Sequence, residues 1–171
     1  KYDLLTPISK AFSTDIVNEV AALGVQVHGG MGFIEETGAA QHIRDARILT
    51  IYEGTNGIQA MDLVGRKLPL GNGEVVRAYI GEMRETAEMC RQSNHPVLTQ
   101  VAGELCDAID ALETATDWLL DRSKSSPMDT LAGATPYLRL FGLAAGGHYL
   151  AKGALAATQE EALDPAFVNR K

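Results

Sequence analysis

Glu53 is the side chain whose neighbours most suggest chemistry. It ends the apolar run ILTIY, 48 to 52, and is followed at once by Gly54, Thr55 and Asn56. A carboxylate carried in on an apolar segment is costly to bury unless something uses it. One use is as a general base that takes a proton from a substrate held against it. The alternative is a Glu just ahead of a helix start, where the dipole favours an anion by about 0.3–1 kcal/mol. Composition and spacing leave these two readings level.

The second feature is GGMGF, 29 to 33. It lacks the last glycine of a GxGxxG fingerprint and follows a helical pattern instead of a strand, so a Rossmann reading is poor. It is either a turn that ends a helix or a place where a phosphate or adenine can approach bare backbone. His28, His42, His95 and His148 show no HExxH or similar spacing; they read as ordinary surface or capping histidines, and no metal site is expected. Met83, Met89 and Met128 read as core filler. The run EMRETAEMCR reads as a solvated helix face. Cys90 and Cys106 lie in helical patterns without a CxxC and read as buried thiols of a reducing cytoplasm, with a disulfide as the alternative.

The elements that must position these residues are helices. Ile8, Phe12, Ile16, Val20, Leu23 and Val27 repeat at helical spacing over about 6 to 28, and the glycine cluster stops the pattern. A shorter helical run covers roughly 37 to 45, and Ile48 to Tyr52 reads as extended. A helix starts after Thr55, whose hydroxyl is suited to capping it, with Ile58, Met61, Leu63 and Val64 inward. KLPLGNGE, 67 to 74, has one Pro, two Gly and no periodicity, and reads as a boundary between helical units. Three long helices are predicted beyond it. Val76, Ile80, Met83 and Ala87 mark the first; Val101, Leu105, Ala108, Leu112, Ala115 and Leu119 mark the second, from near Pro96. The third runs from about 128 to 158, with Pro136 kinking it or marking a fresh start capped by Thr135. Its glycine- and alanine-rich face, 142 to 153, is expected to make the closest contact of the bundle, centred on Gly146. The tail after Asp164 is expected to be loose. The fold is all-α, two helical bundles in sequence, divided into residues 1–70 and 71–171.

The bulk numbers bound the function. The chain has 171 residues, 46% of them hydrophobic, which suffices for a packed core. It opens on Lys1 and reads as a piece of a longer protein. The net charge is −7 and no dense Lys/Arg cluster occurs, which argues against nucleic acid and anionic membrane surfaces as main partners. No apolar run approaches the ~18 residues that would span a bilayer, and no signal peptide is visible, so the expected location is cytoplasmic.

Residues 26 to 59, QVHGGMGFIEETGAAQHIRDARILTIYEGTNGIQ, resemble the C-terminal helical domain of the acyl-CoA dehydrogenases. QVHGGMGF, and RDARI leading into IYEGT about twenty residues on, are specific in this order and spacing. The resemblance covers roughly residues 8 to 66. From 75 onward the chain resembles, through features such as TPYLRLFG at 135 to 142, the extra C-terminal domain of the 3-methylmercaptopropionyl-CoA dehydrogenase-like branch. The resemblance implies that Glu53 is the catalytic base that removes the α-proton of an acyl-CoA while the β-hydrogen leaves as hydride to N5 of FAD, giving a 2-enoyl-CoA. Desolvation by the acyl chain and the flavin would strengthen that base. The Glu53 amide would donate to the thioester oxygen, where enolate charge develops, and Tyr52 and Gly54 would line the substrate. Thr55 would lie near the FAD phosphates, and Gln26, Gly29 and Gly30 would reach its adenosine part across a dimer interface. Electron-transfer flavoprotein is the implied electron acceptor and a homodimer the implied assembly. The family's N-terminal helical and middle β-domains are not in these 171 residues, so the chain alone is expected to lack FAD and activity. Two alternatives stand beside this: a flavin acyl-CoA oxidase of the same superfamily, and a non-catalytic helical oligomerisation module.

Overall fold

Apolar positions three and four apart leave each long segment one stripe to bury, and the chain buries most of them in a single helical assembly. The computed structural model describes residues 1–160. Over that span the chain is helical, with no strand among the described residues. Helix α1 (Tyr2–His28) is followed by a single turn, α2 (Gly30–Phe33), and by α3 (Ala39–Arg47). A 3₁₀ turn (Ile48–Thr50) leads to the Glu53 loop, and α4 (Asn56–Asp62) follows. A π-helical turn (Leu63–Lys67), closed by Leu68 N donating to Leu63 O at 2.8 Å, and a 3₁₀ turn (Leu70–Gly73) lead into α5 (Glu74–Gln92). Helices α6 (Pro96–Ser125), α7 (Pro127–Ala132) and α8 (Ala134–Glu160) complete the described chain.

Helices α5, α6 and α8 pack on one another, and α1 and α4 pack on α8. Buried side chains from Leu4 to Leu155 form one continuous cluster, so residues 1–70 and 71–160 share a core. Helix α5 contributes Val76, Ile80, Met83 and Ala87, and α6 contributes Leu98, Ala102, Leu105, Ile109, Leu112 and Leu119. Tyr79, Tyr137 and Phe141 meet at the centre, with ring centroids 5.9–6.0 Å apart. The Tyr137 hydroxyl is satisfied by Thr116 Oγ1 at 2.7 Å.

Several elements differ from expectation, each for a local reason. The segment 48–52 is not extended: the amides of Ile51 and Tyr52 both donate to Ile48 O, at 3.0 and 3.1 Å, which coils it. β-branched residues favour strands only where a neighbouring strand accepts them, and the described chain has none. The 67–74 segment interrupts the helical backbone as expected, with φ of 59°, 56° and 85° at Gly71, Asn72 and Gly73, but it also buries Leu68. In α4 it is Ala60, with Leu63 and Val64 in the π turn, that is buried, while Ile58 and Met61 face outward. The third long helix breaks at Gly133, and Thr135 lies inside α8 rather than capping it. Pro136 falls in the first turn, where an amide has no intrahelical partner to lose. Of the three methionines, Met83 is buried, whereas Met89 is exposed and Met128 is 74% exposed. Cys90 is buried and Cys106 half-buried; burial pushes the Cys90 thiol up and leaves it unreactive. The tail after Asp164 lies outside the described residues.

The glycine-rich face of α8 is close to a neighbour, but not at Gly146. A methyl on Gly142 would overlap the Phe12 ring and lie 2.8 Å from Phe12 Cβ, whereas one on Gly146 would have nothing within 4 Å. Gly142 is where α1 crosses α8.

His148 is not a surface histidine. It is 2% exposed, packs edge-on against Tyr79 and Tyr149, and its Nδ1 has no hydrogen-bond partner. Desolvation by burial, and then the nearby Lys152 charge, hold its pKa below the ordinary 6.5, although Glu82 acts the other way. A histidine lowered in the folded state keeps its full stability above the unfolded pKa and loses it as pH falls toward the folded value. The melting temperature should therefore decline as pH drops below about 6.5, where the unfolded chain takes up the proton first. His148→Phe keeps an aromatic ring and removes the titration. Melting curves between pH 7 and 5 should fall less steeply in this variant. An unchanged slope would assign the acid sensitivity to other groups.

Candidate active site

Helix α1 is the platform for Glu53. In its first half the sequence KAFSTD puts Lys10 and Thr14 four residues apart on one face, with Asp15 beside them, among the apolar Ile8, Phe12 and Ile16. These three polar side chains hold the loop that carries Glu53. Lys10 Nζ donates to Gly54 O at 2.9 Å and to Asn56 Oδ1 at 2.8 Å. It also lies 6.0 Å from the Tyr52 ring centroid. Asn56 Nδ2 donates to Asp15 Oδ1 at 2.7 Å, Thr14 Oγ1 at 2.9 Å and Ala11 O at 3.1 Å. A cation at its oxygen and an anion at its nitrogen fix which way the amide points. On the other side, Gln59 Nε2 donates to Glu53 O at 3.1 Å. Thr55 caps α4 as expected, accepting from Ile58 N at 3.4 Å.

The backbone at the centre of this clamp is unusual. Glu53 has φ +54° and Gly54 φ +83°. Left-handed conformation is uncommon for a non-glycine residue and costs on the order of 1–3 kcal/mol unless its surroundings hold it. The two bonded carbonyls, Glu53 O and Gly54 O, are that hold. A methyl on Gly54 would lie 3.2 Å from Gln59 Nε2 as well as being strained by φ. The left-handed pair turns the chain outward: Tyr52 is 46% exposed, and Glu53, Gly54 and Thr55 are exposed too.

The remaining expected site residues sit at the other end of α1. Gln26 is in its last turn, and Gly29 terminates it with φ 61° and ψ −144°, a conformation confined to glycine. Gln26, Gly29 and Gly30 are exposed, and no atom approaches where a methyl on either glycine would be. At 1.5 Å per residue, this end lies about 20 Å along the helix from the Lys10–Asp15 segment. Tyr52, Glu53, Gly54 and Thr55 are thus brought together, while Gln26, Gly29 and Gly30 form a separate exposed patch. The second half of α1 also leaves apolar surface outside. Val20 and Leu23 are exposed and Val27 is 84% exposed. A groove of about 560 Å³ between α1 and α3, lined by Ile16, Val17, Val20 and Leu49 among others, lies along this surface. The helical spacing predicted an apolar stripe there, and the described residues do not cover it.

Sequence reasoning missed Lys10, Thr14, Asp15, Asn56 and Gln59. The only available signal was the KAFSTD polar face within an apolar helix.

The family described as "Acyl-CoA dehydrogenase, C-terminal domain" matches residues 3–68, which include the whole clamp. The family described as "Acetyl-CoA dehydrogenase C-terminal like" matches residues 79–171. The chain belongs to the acyl-CoA dehydrogenase family. Among its relatives in that family, 3-methylmercaptopropionyl-CoA dehydrogenase of Ruegeria pomeroyi is 45% identical over 158 residues, 92% of this chain and 27% of that protein. A butyryl-CoA dehydrogenase of Syntrophomonas wolfei is 31% identical over 125 residues, 68% of this chain and 20% of the relative. The caffeyl-CoA reductase–Etf complex subunit CarC of Acetobacterium woodii is 43% identical over 61 residues, 36% of this chain and 16% of the relative. The chain therefore spans 27% or less of each of these relatives' length. No described helix is long and apolar enough to cross a membrane.

Proposed function

We propose that this chain is the C-terminal part of an FAD-dependent acyl-CoA dehydrogenase that converts an acyl-CoA thioester to the 2-enoyl-CoA, with Glu53 as the base. The observation that carries this reading is the left-handed Glu53–Gly54 turn. An exposed carboxylate is held in a costly backbone conformation by hydrogen bonds to both adjacent carbonyls, as expected of a group that must meet a substrate in one orientation.

In this reading Glu53 takes the α-proton of the thioester, and the C–H electron pair becomes the new double bond as the β-hydrogen departs with its own pair. Bound flavin supplies the acceptor for that hydride. The Glu53 amide donates to the thioester oxygen, where negative charge develops. Tyr52 and Gly54 line the substrate. The Thr55 hydroxyl accepts from Ile58 N, which leaves its own hydrogen available to a flavin phosphate. The bare backbone at Gly29 and Gly30 has open space for an adenosine group beside Gln26, which fits the cofactor. With that patch about 20 Å from Glu53 along α1, each end holds a different part of an extended ligand or serves a different subunit of a homodimer. The exposed apolar half of α1 supports an assembly that covers it. This chain carries one edge of the flavin site, so the chain alone does not retain FAD.

The chain then divides at about residue 70, into a family helical domain (1–70) and a C-terminal extension (71–171), a division supported by separate family matches to 3–68 and 79–171. Electron-transfer flavoprotein takes the electrons; likeness to a subunit of an Etf complex supports this. The free Cys90 and Cys106 suit a reducing cytoplasm.

The test is product formation. The full-length protein, given saturated acyl-CoA thioesters and an artificial electron acceptor, should release the 2-enoyl-CoA, seen by mass spectrometry as loss of two hydrogens. Recovery of every thioester unchanged from a flavin-loaded preparation would remove the dehydrogenase reading.

A further inference from the structure

We propose that Lys10 is a positioning residue for the Glu53 base. The inference rests on the reading of Glu53 as base. The Lys10 ammonium makes three contacts, all to the five-residue segment that carries Glu53: Gly54 O at 2.9 Å, Asn56 Oδ1 at 2.8 Å, and the face of Tyr52 at 6.0 Å. It reaches them from α1, more than forty positions earlier in the chain. A side chain with no donor at this position would leave Gly54 O without the Lys10 bond and Asn56 Oδ1 with only the Thr14 hydroxyl at 3.3 Å. Gln59 would then hold the turn alone, through Glu53 O.

The conformation being held is one that Glu53 does not favour. With one carbonyl released, the Glu53–Gly54 pair can relax to a right-handed or extended backbone, which swings the carboxylate and turns the Glu53 amide away from its target. A misplacement of about 1 Å at a reacting group can cost on the order of 10²-fold in rate. Tyr52 and Gly54 touch the bound thioester as well, but the proton transfer to Glu53 and the charge met by its amide develop in the transition state, so most of the loss falls on the chemical step.

The experiment compares Lys10→Met, Lys10→Arg and Glu53→Gln in the full-length, flavin-loaded protein. Lys10→Met should lower kcat by about 10–100-fold and leave KM within about twofold. Lys10→Arg, which keeps a charged donor, should recover part of the loss. Amide hydrogen exchange at Ile58 and Gln59, whose amides are bonded to Thr55 at the end of the turn, should be faster in Lys10→Met, and this readout needs no turnover. If Glu53→Gln is inactive while Lys10→Met keeps wild-type kcat, or exchanges at the wild-type rate, Lys10 has no positioning role and the base reading stands. A Lys10→Met variant whose kcat and KM both deteriorate along with its melting temperature assigns Lys10 a purely structural role and overturns the proposal. Turnover retained by Glu53→Gln overturns the base reading and this inference together.

Discussion

Glu53→Gln in the full-length protein should retain fold, flavin content and thioester binding, and lose turnover by about 10²–10⁴-fold, the usual contribution of a positioned general base. The amide has nearly the shape of the carboxylate but cannot accept the α-proton. The turn itself should survive, because what holds it are main-chain carbonyls: Glu53 O is bonded to Gln59, and Gly54 O to Lys10. None of these bonds uses the Glu53 side chain. The measurement is steady-state kcat beside flavin absorbance and a melting curve for the same preparation. Turnover near the wild-type value in a flavin-loaded sample would mean that the base lies elsewhere.

Gly142→Leu should lower the melting temperature by about 3–10 °C, corresponding to an overpacking cost of about 1–3 kcal/mol in a domain of this size. Even a methyl at 142 would overlap Phe12, and Phe12 Cβ, 2.8 Å away, is anchored to the backbone of α1 and cannot swing clear. The two helices must separate. Because α1 carries Lys10, Thr14 and Asp15 on its first half, their separation should also disturb the Glu53 loop. Gly146→Ala is the control: its methyl meets open space, and replacing a mid-helix glycine gains about 0.5–1 kcal/mol. Melting curves that move in opposite directions for the two variants are the expected outcome. Equal loss at both positions would mean that the whole glycine-rich face is in contact. No change at 142 would mean that α1 does not cross α8 there.

The sequence was sufficient for most helix positions and for two of their starts. Period-3.6 spacing located α5 with its buried residues, and located α6 with half of its stripe: Leu105, Leu112 and Leu119 are buried, while Val101, Ala108 and Ala115 are partly buried and Leu98, Ala102 and Ile109 fill the core beside them. Pro96 and Thr55 marked helix starts for reasons internal to a few residues: a missing amide in one case, a capping hydroxyl in the other. The segment from Gln26 to Gln59 also carried enough fixed residue types, in fixed order, to indicate the family. What local pattern leaves open is which stripe finds a partner. The apolar side chains of α1 recur evenly from Ile8 to Val27, yet Ile8 is buried and Val27 exposed: Lys10 and Phe12 lie against α4 and α8, whereas the groove beside Val17 and Val20 is left open by the described residues. His148 and Met128 reversed in the same way, one drawn into the core and the other left outside.

The state of Glu53 is the clearest product of tertiary structure. The letters YEGTN identify a carboxylate followed by a glycine and a cap, but not its left-handed backbone. That conformation costs energy locally and exists because Lys10 and Asn56, forty-six positions apart, meet across the α1–α4 contact. A strained turn can be fixed only by groups that the fold brings to it from elsewhere.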